Sequence, residues 1–314
     1  MLENRKSVGS LQDLYAFTEE HPMEQIIVPR ESFDIDYDGC DLRINCWGQP
    51  YLVNEAARDT ILSRYGLSGR TLRECTDSEL SNVINSVKRF LPENVSVMIM
   101  DNMVIGVCSE NYAHIPLMDI LNATVEAVSP FYEKEVDAVA EYDYSKCYVK
   151  FTTEKEFEFC NKKKPLVITL TNSESGESSV RFGAYIGSMI PIMSDITVIH
   201  AGKADIEKVQ NAISGLESVV RQAYHAVKLL DDIHVVTPVT AVKKLGKNIG
   251  IPEKYCKEIT DKIMYTTEQV TAADIYSLFA ETINDAVLSQ SCKEQYRNNL
   301  LKLVTADWSD FSTK

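Results

Sequence analysis

The chain has 314 residues, 45% hydrophobic and 25% charged, with a formal net charge of −14. This composition suits a folded protein with a sizeable core and excludes wholesale disorder. The charge excludes a whole-surface grip on DNA or anionic lipid, and leaves local basic islands or an acidic face turned to a basic partner.

Residues 1–40 carry nine carboxylates against three basic side chains and read as an acidic N-terminal arm. A short helix is expected near Ser10–Thr18, then an extended run through Ile26-Ile27-Val28-Pro29 that docks on its own domain or on a neighbouring subunit. Asp34-Ile35-Asp36-Tyr37-Asp38-Gly39 imitates the start of a calcium-binding EF-hand loop. Its twelfth position is Asn45 in place of the bidentate Glu, so an acidic turn before a strand at 42–47 is the reading kept. Asn54 caps a helix over Glu55–Tyr65 that ends at Gly66, and a second helix spans Asp77–Phe90. Val95–Met100 and Met103–Cys108 form a hairpin around Asp101-Asn102. Pro116 opens a helix to Val128.

From 134 to 200 the pattern is strand-rich, with strands at Tyr148–Phe151, Glu156–Phe159, Leu166–Leu170, Val180–Ile186 and Ile190–Ile199 around a polar loop at Thr171–Ser179. Ile206, Val209, Ile213, Leu216, Val220, Ala223, Val227 and Leu230 then alternate at steps of three and four, the seam of one long helix over 205–230. A hinge at 231–236 and Thr237-Pro238 lead into helices near 238–246, 252–263, 271–288 and 293–303. The fold expected is α+β: a mixed, mostly antiparallel sheet with flanking helices, one long amphipathic helix and a helical C-terminal segment. The domains expected are the arm at 1–40, an α+β core at 41–232, the helical segment at 233–306 and a loose tail at 307–314.

Eight cysteines form no CxxC pair, no run approaches a membrane span, and the opening MLENRKSVGS has no apolar stretch. A bacterial cytoplasm with reduced thiols and no membrane association is the expectation. Catalytic motifs are absent, and five scattered histidines have no metal-ligand spacing, so no catalytic residue, metal or cofactor is assigned.

Two stretches suit binding. Along Tyr142–Lys164, aromatic residues including Tyr148 alternate with Lys150, Lys155, Lys162, Lys163 and Lys164. Rings that stack bases beside lysines that meet phosphates suit single-stranded nucleic acid; the plainer alternative is a buried aromatic face and a solvated turn. Residues 239–264 hold Lys243, Lys244, Lys254 and Lys257 on two short helices joined through Gly250-Ile251-Pro252, either a helix-turn-helix or a helical pair with a solvated basic face.

The loop Thr171-Asn172-Ser173-Glu174-Ser175-Gly176, followed by an alternating run and then His200, resembles a phage- and plasmid-associated family of unknown function. Its members carry an asparagine-serine-x-x-glycine loop, here Asn172, Ser173 and Gly176. Asn54–Leu67, Cys108–Tyr112 with Ile115-Pro116, and Ala273–Ala286 are similar to further family elements, so the resemblance spans about 50–305. Met193-Ser194-Asp195-Ile196 stands where the family has a cysteine-x-asparagine-glycine element. The resemblance implies a mobile-element setting and no established activity. Three functional expectations follow: a self-associating, non-catalytic accessory of nucleic-acid metabolism that binds single strands, an acidic factor that binds a host protein, or an enzyme of unrecognised type.

Overall fold

The computed structural model describes residues 6–64, 74–176, 178–202, 206–265 and 269–312. The expected helix stop at Gly66, the helix start at Asp205 and the last two residues of the tail lie outside these. Within them the chain is α+β, with two mostly antiparallel sheets and helices against both. No described helix is long and apolar enough to cross a membrane.

The N-terminal sheet runs in the order β2 (Glu24–Pro29), β6 (Asn94–Met100), β7 (Met103–Ser109), β5 (Gln49–Val53), β4 (Leu42–Cys46) and β3 (Phe33–Tyr37). Helices α2 (Glu55–Arg64) and α3 (Asp77–Val87) cover one face. Val28, Phe33, Ile35, Ile44, Val95 and Val97 pack there against Ala57, Ile61, Leu80 and Ile84. The hairpin at Asp101-Asn102 forms with φ of +52° and +59°, the doubly left-handed geometry of a tight two-residue turn. In the acidic stretch Asp38 accepts from the backbone N–H of Cys40 and Asp41 and from Arg43, which hold its carboxyl down at about 2. Asp34 pairs with Lys88 and Asp36 accepts from Asn45, so these carboxylates organise a turn and its flanks.

The central sheet runs β1 (Ser7–Ser10), β8 (Val139–Tyr142), β9 (Lys146–Phe159), β10 (Lys162–Ser173), β11 (Val180–Ile186) and β12 (Ile190–Pro191), with β13 (Ile196–Val198) also on β11. β9 and β10 are one long hairpin turning at Cys160-Asn161, where φ is +50° and +56°. Lys162–Lys164 are therefore the start of a strand. The break expected before Leu166 is only a register shift at Pro165, a residue with no N–H to give the ladder.

Helices α1 (Leu11–Glu20), α4 (Leu117–Val128), α5 (Ile206–Ile213), α6 (Leu216–Lys228), α7 (Pro238–Asn248), α8 (Glu253–Met264), α9 (Ala272–Asp285) and α10 (Gln290–Leu300) complete the fold. The long helix is bent. Gly215 sits at φ +72° between α5 and α6, a conformation that favours glycine. The seam survives the bend: Val209, Ile213, Leu216, Val220, Val227 and Leu230 are all buried within the chain.

Three expected boundaries are corrected. From residue 7 onward the stretch expected as an arm at 1–40 is not separate, because β1 pairs with β8 in one sheet, and β2 with β6 and β3 with β4 in the other. No core boundary falls at 232/233, since Val227, Leu230 and Val235 share one apolar cluster with Ala241, Ile259 and Tyr276. The tail is anchored through residue 312: Trp308 and Phe311 are buried, and the N–H of Val236 donates to the Phe311 carbonyl.

The sheets meet through the second face of β6 and β7. Met98, Met100, Ile105, Cys108 and Tyr112 form a small cluster with Phe17, Met23 and Tyr144 against it. At its centre the backbone of Ser175 lies on Gly106, where an added Cβ would fall 2.4 Å from the Ser175 carbonyl oxygen. A methyl group there must push the two sheets apart. Gly106→Ala is expected to destabilise the protein by about 1–3 kcal/mol, read as a lower urea midpoint, as overpacking of a close backbone contact does.

Candidate functional site at the junction of the sheets

Strand alternation sorts the predicted aromatic platform. Val149, Phe151 and Phe159 are fully buried, and Phe157 stacks on Tyr224 of α6 at 4.1 Å. Tyr148 and Lys150 take the opposite face, where the register sets them beside Thr171 and Thr169. Tyr148 is 37% exposed and Lys150 donates to Ser188 at 2.7 Å. Lys155 and Lys164 are half-buried, while Lys162 and Lys163 are exposed near the hairpin turn. Beside Tyr148, a groove of about 510 Å³ is lined by Lys146, Thr171, Glu294 and Arg297. Arg297 lies over the Tyr185 ring, and Arg181 pairs with Glu294 at 2.6 Å. Burial pushes the Tyr185 phenol up to about 12; burial and then Glu294 raise the Asp195 carboxyl.

The second basic stretch lies elsewhere. Lys243, Lys244, Lys254 and Lys257 are exposed on α7 and α8. Lys244 pairs with Asp310 and Lys254 lies over the Tyr255 ring. Tyr255, Cys256, Ile259 and Ile263 of the second helix face the core.

The Asn172–Gly176 loop is where polar chemistry collects. The loop looks solvent-facing in sequence, yet Asn172, Ser173, Glu174 and Ser175 are all buried. Its backbone is satisfied inward, with the N–H groups of Glu174 and Ser175 donating to the Ser145 carbonyl. The Ser173 and Ser175 hydroxyls are 3.0 Å apart. Gly176, at φ +78°, passes so close to Cys108 that a Cβ would meet its sulfur.

Glu174 is the candidate residue that sequence reading passed over. Its side chain is 6% exposed, and among the described residues no lysine or arginine pairs with it. One carboxylate oxygen faces His114 Nε2 at 2.6 Å, and the other accepts from Asn172 Nδ2 at 2.8 Å. An ionised carboxylate only accepts, so the Nε2 proton belongs to His114. Asn172 Oδ1 then accepts from His200 Nε2 at 3.1 Å. The His200 ring stacks on Tyr112, and its Nδ1 is 3.3 Å from the Ala113 carbonyl oxygen. Gln25 fixes the approach of this segment, donating to the Tyr112 carbonyl and accepting from the His114 N–H.

His114 and Glu174 form part of the wall of a cavity of about 270 Å³. Leu14 and Phe17 of α1, Met23, Met100, and Leu117 and Met118 at the start of α4 make its apolar lining. His21, Asp143 and Lys146 also line it, and His21 pairs with Asp101 at 2.5 Å. Tyr142, Asp143 and Lys146 border both this cavity and the groove beside Tyr148. Apolar walls with a few convergent polar groups are the usual character of a ligand site. The carboxylate, His114 and His200 come from three separate segments, and the only sequence signal for them was the loop itself and His200. Among the described residues no three His, Cys, Asp or Glu side chains are grouped as a metal would need. Comparison with protein-family models, curated proteins and solved structures finds no match to this chain.

His200 links the junction to pH. Burial holds its pKa below the ordinary 6.5, against the smaller raising effects of Glu174 and the Ala113 carbonyl. The unfolded chain thus takes the proton first, so this contribution to stability is full above about pH 6.5 and is lost as pH falls toward the folded value. The urea midpoint is expected to fall from about pH 7.5 to about pH 5.5, and to fall less in His200→Gln; equal slopes would remove His200 from the account.

Proposed function

We propose that the protein binds a small organic molecule in the inter-sheet cavity and presents it to His114 and Glu174. The observation that carries this reading is a buried carboxylate that, among the described residues, pairs with no lysine or arginine and is hydrogen-bonded to an imidazole in the wall of a largely apolar cavity. Holding an ionised carboxylate out of water is costly, and two hydrogen bonds offset that cost only in part. Such an arrangement is more at home in a site that handles a ligand than in a purely packed core. Ligand-observed NMR with a library of small apolar fragments tests it. Fragments should bind the wild-type chain and lose binding in Met100→Trp, which fills the cavity. A library whose members bind both forms alike, or neither, would end this reading.

A second reading rests on a different observation. Tyr148 keeps an exposed ring beside Lys150 and a groove bordered by Lys146 and Arg297, with Lys162 and Lys163 exposed on the same hairpin. One stacking ring with nearby cations supports contact with single-stranded nucleic acid, in the mobile-element setting that the Asn172–Gly176 resemblance implies. A labelled single-stranded oligonucleotide should then bind at low salt, weaken steeply as salt rises, and be lost on Tyr148→Ala or on changing Lys162, Lys163 and Lys164 to Ala. Absence of binding at low salt would dismiss this second reading.

A further inference from the structure

We infer that the inter-sheet cavity is a general acid–base site that hydrolyses a small, uncharged, apolar ester, with His114 as its base. This rests on the reading that the cavity holds a small organic molecule. Three features at the cavity meet the needs of that chemistry.

The base is already oriented. Glu174 accepts a hydrogen bond from the Nε2–H of His114 at 2.6 Å, which fixes the ring tautomer and leaves Nδ1 as the proton-accepting nitrogen. No described group engages that Nδ1. Glu174 is a positioning residue in this scheme, and Asn172 holds its other oxygen.

The second feature is a source of stabilisation for negative charge. α4 starts two residues beyond Ile115, and its first residues, Leu117 and Met118, line the cavity. Pro116 at the N-cap provides no side-chain cap, and no described group accepts from the N–H of Leu117 or Met118. Free N–H groups at a helix start suit an oxygen on which charge develops.

The third feature is the lining. Leu14, Phe17, Met23, Met100 and Leu117 make a largely apolar wall, Asp143 and Glu174 disfavour an anion, and Lys146 and His21 are the basic side chains that also line it. An uncharged ester with a short apolar acyl group fits these constraints.

The step needs only water. A water O–H bond breaks as its proton passes to Nδ1, and the oxygen forms a bond to the ester carbonyl carbon. The carbonyl π electrons move onto its oxygen, facing the α4 N–H groups. The electrons return, the C–O bond to the alcohol breaks, and the leaving oxygen takes the proton back from Nδ1. Ester and water become acid and alcohol, and His114 is regenerated.

The test uses the full chain with 4-nitrophenyl butyrate as substrate and 4-nitrophenyl butyl ether as a non-hydrolysable ligand. Hydrolysis should saturate, and the ether should bind and compete. His114→Gln should lower kcat by about 100-fold or more with ether binding intact. Glu174→Gln should lower kcat with KM within about twofold, and Glu174→Asp should recover part of the loss. A merely structural Glu174 would not split kcat from KM in this way. If the ether binds but His114→Gln hydrolyses as fast as wild type, the acid–base role is overturned and the binding site stands. If the ether does not bind, both fall. Should these variants lose the near-UV signature of the folded chain, Met100→Trp carries the test. It must abolish ether binding and hydrolysis together, and hydrolysis that survives it overturns the inference.

Discussion

The contact of the Ser175 backbone with Gly106 sets the terms for the middle of this molecule. With no side chain between them, the two sheets approach closely enough that the Asn172–Gly176 loop has no room to reach water. A buried loop must find partners for every polar group it carries. Ser145, on the turn between β8 and β9, takes two of its N–H groups, and His114, Asn172 and His200 take up its side chains. The polar network thus follows from a steric fact about two glycines, Gly106 and Gly176.

That network is also asymmetric. The Ser173 hydroxyl donates to the Ser145 carbonyl and lies against the Ser175 hydroxyl, contacts that read as structural. Glu174 and His114 stand at the other end, where α1, Met23, Met100 and the start of α4 leave space. The same loop therefore fastens the sheets on one side and borders a cavity on the other. Truncating its polar groups would disturb both at once, because residues in one hydrogen-bonded network do not contribute independently.

Much of the scaffold could be read directly from residues. The seam from Val209 to Leu230 and the alternation of Val149 and Phe151 are short-range patterns that burial enforces, and Asp101-Asn102 declares its turn through residues that tolerate left-handed dihedrals. Gly215 was visible too, but a heptad pattern does not reveal that the helix bends there while keeping its seam. The tail misled because its polar residues outnumber Trp308 and Phe311, the two that dock it. The site was legible only as a loop. Glu174 sits among Asn and Ser, the company of surface turns, and its partner His114 is 60 residues away in sequence. Periodicity has nothing to say about a pair brought together by two sheets.

The path of residues 7–29 bears on how the fold is assembled. β1 waits for β8, which ends at Tyr142, and β2 waits for β6, so residues 7–29 find their place only once those later strands have been made. Contacts so distant in sequence slow the search for the native state. Between those strands lies α1, whose Leu14 and Phe17 close the cavity. The cavity therefore depends on pairings distant in sequence: a partly folded chain in which β1 and β2 have not found their partners lacks the wall that α1 supplies.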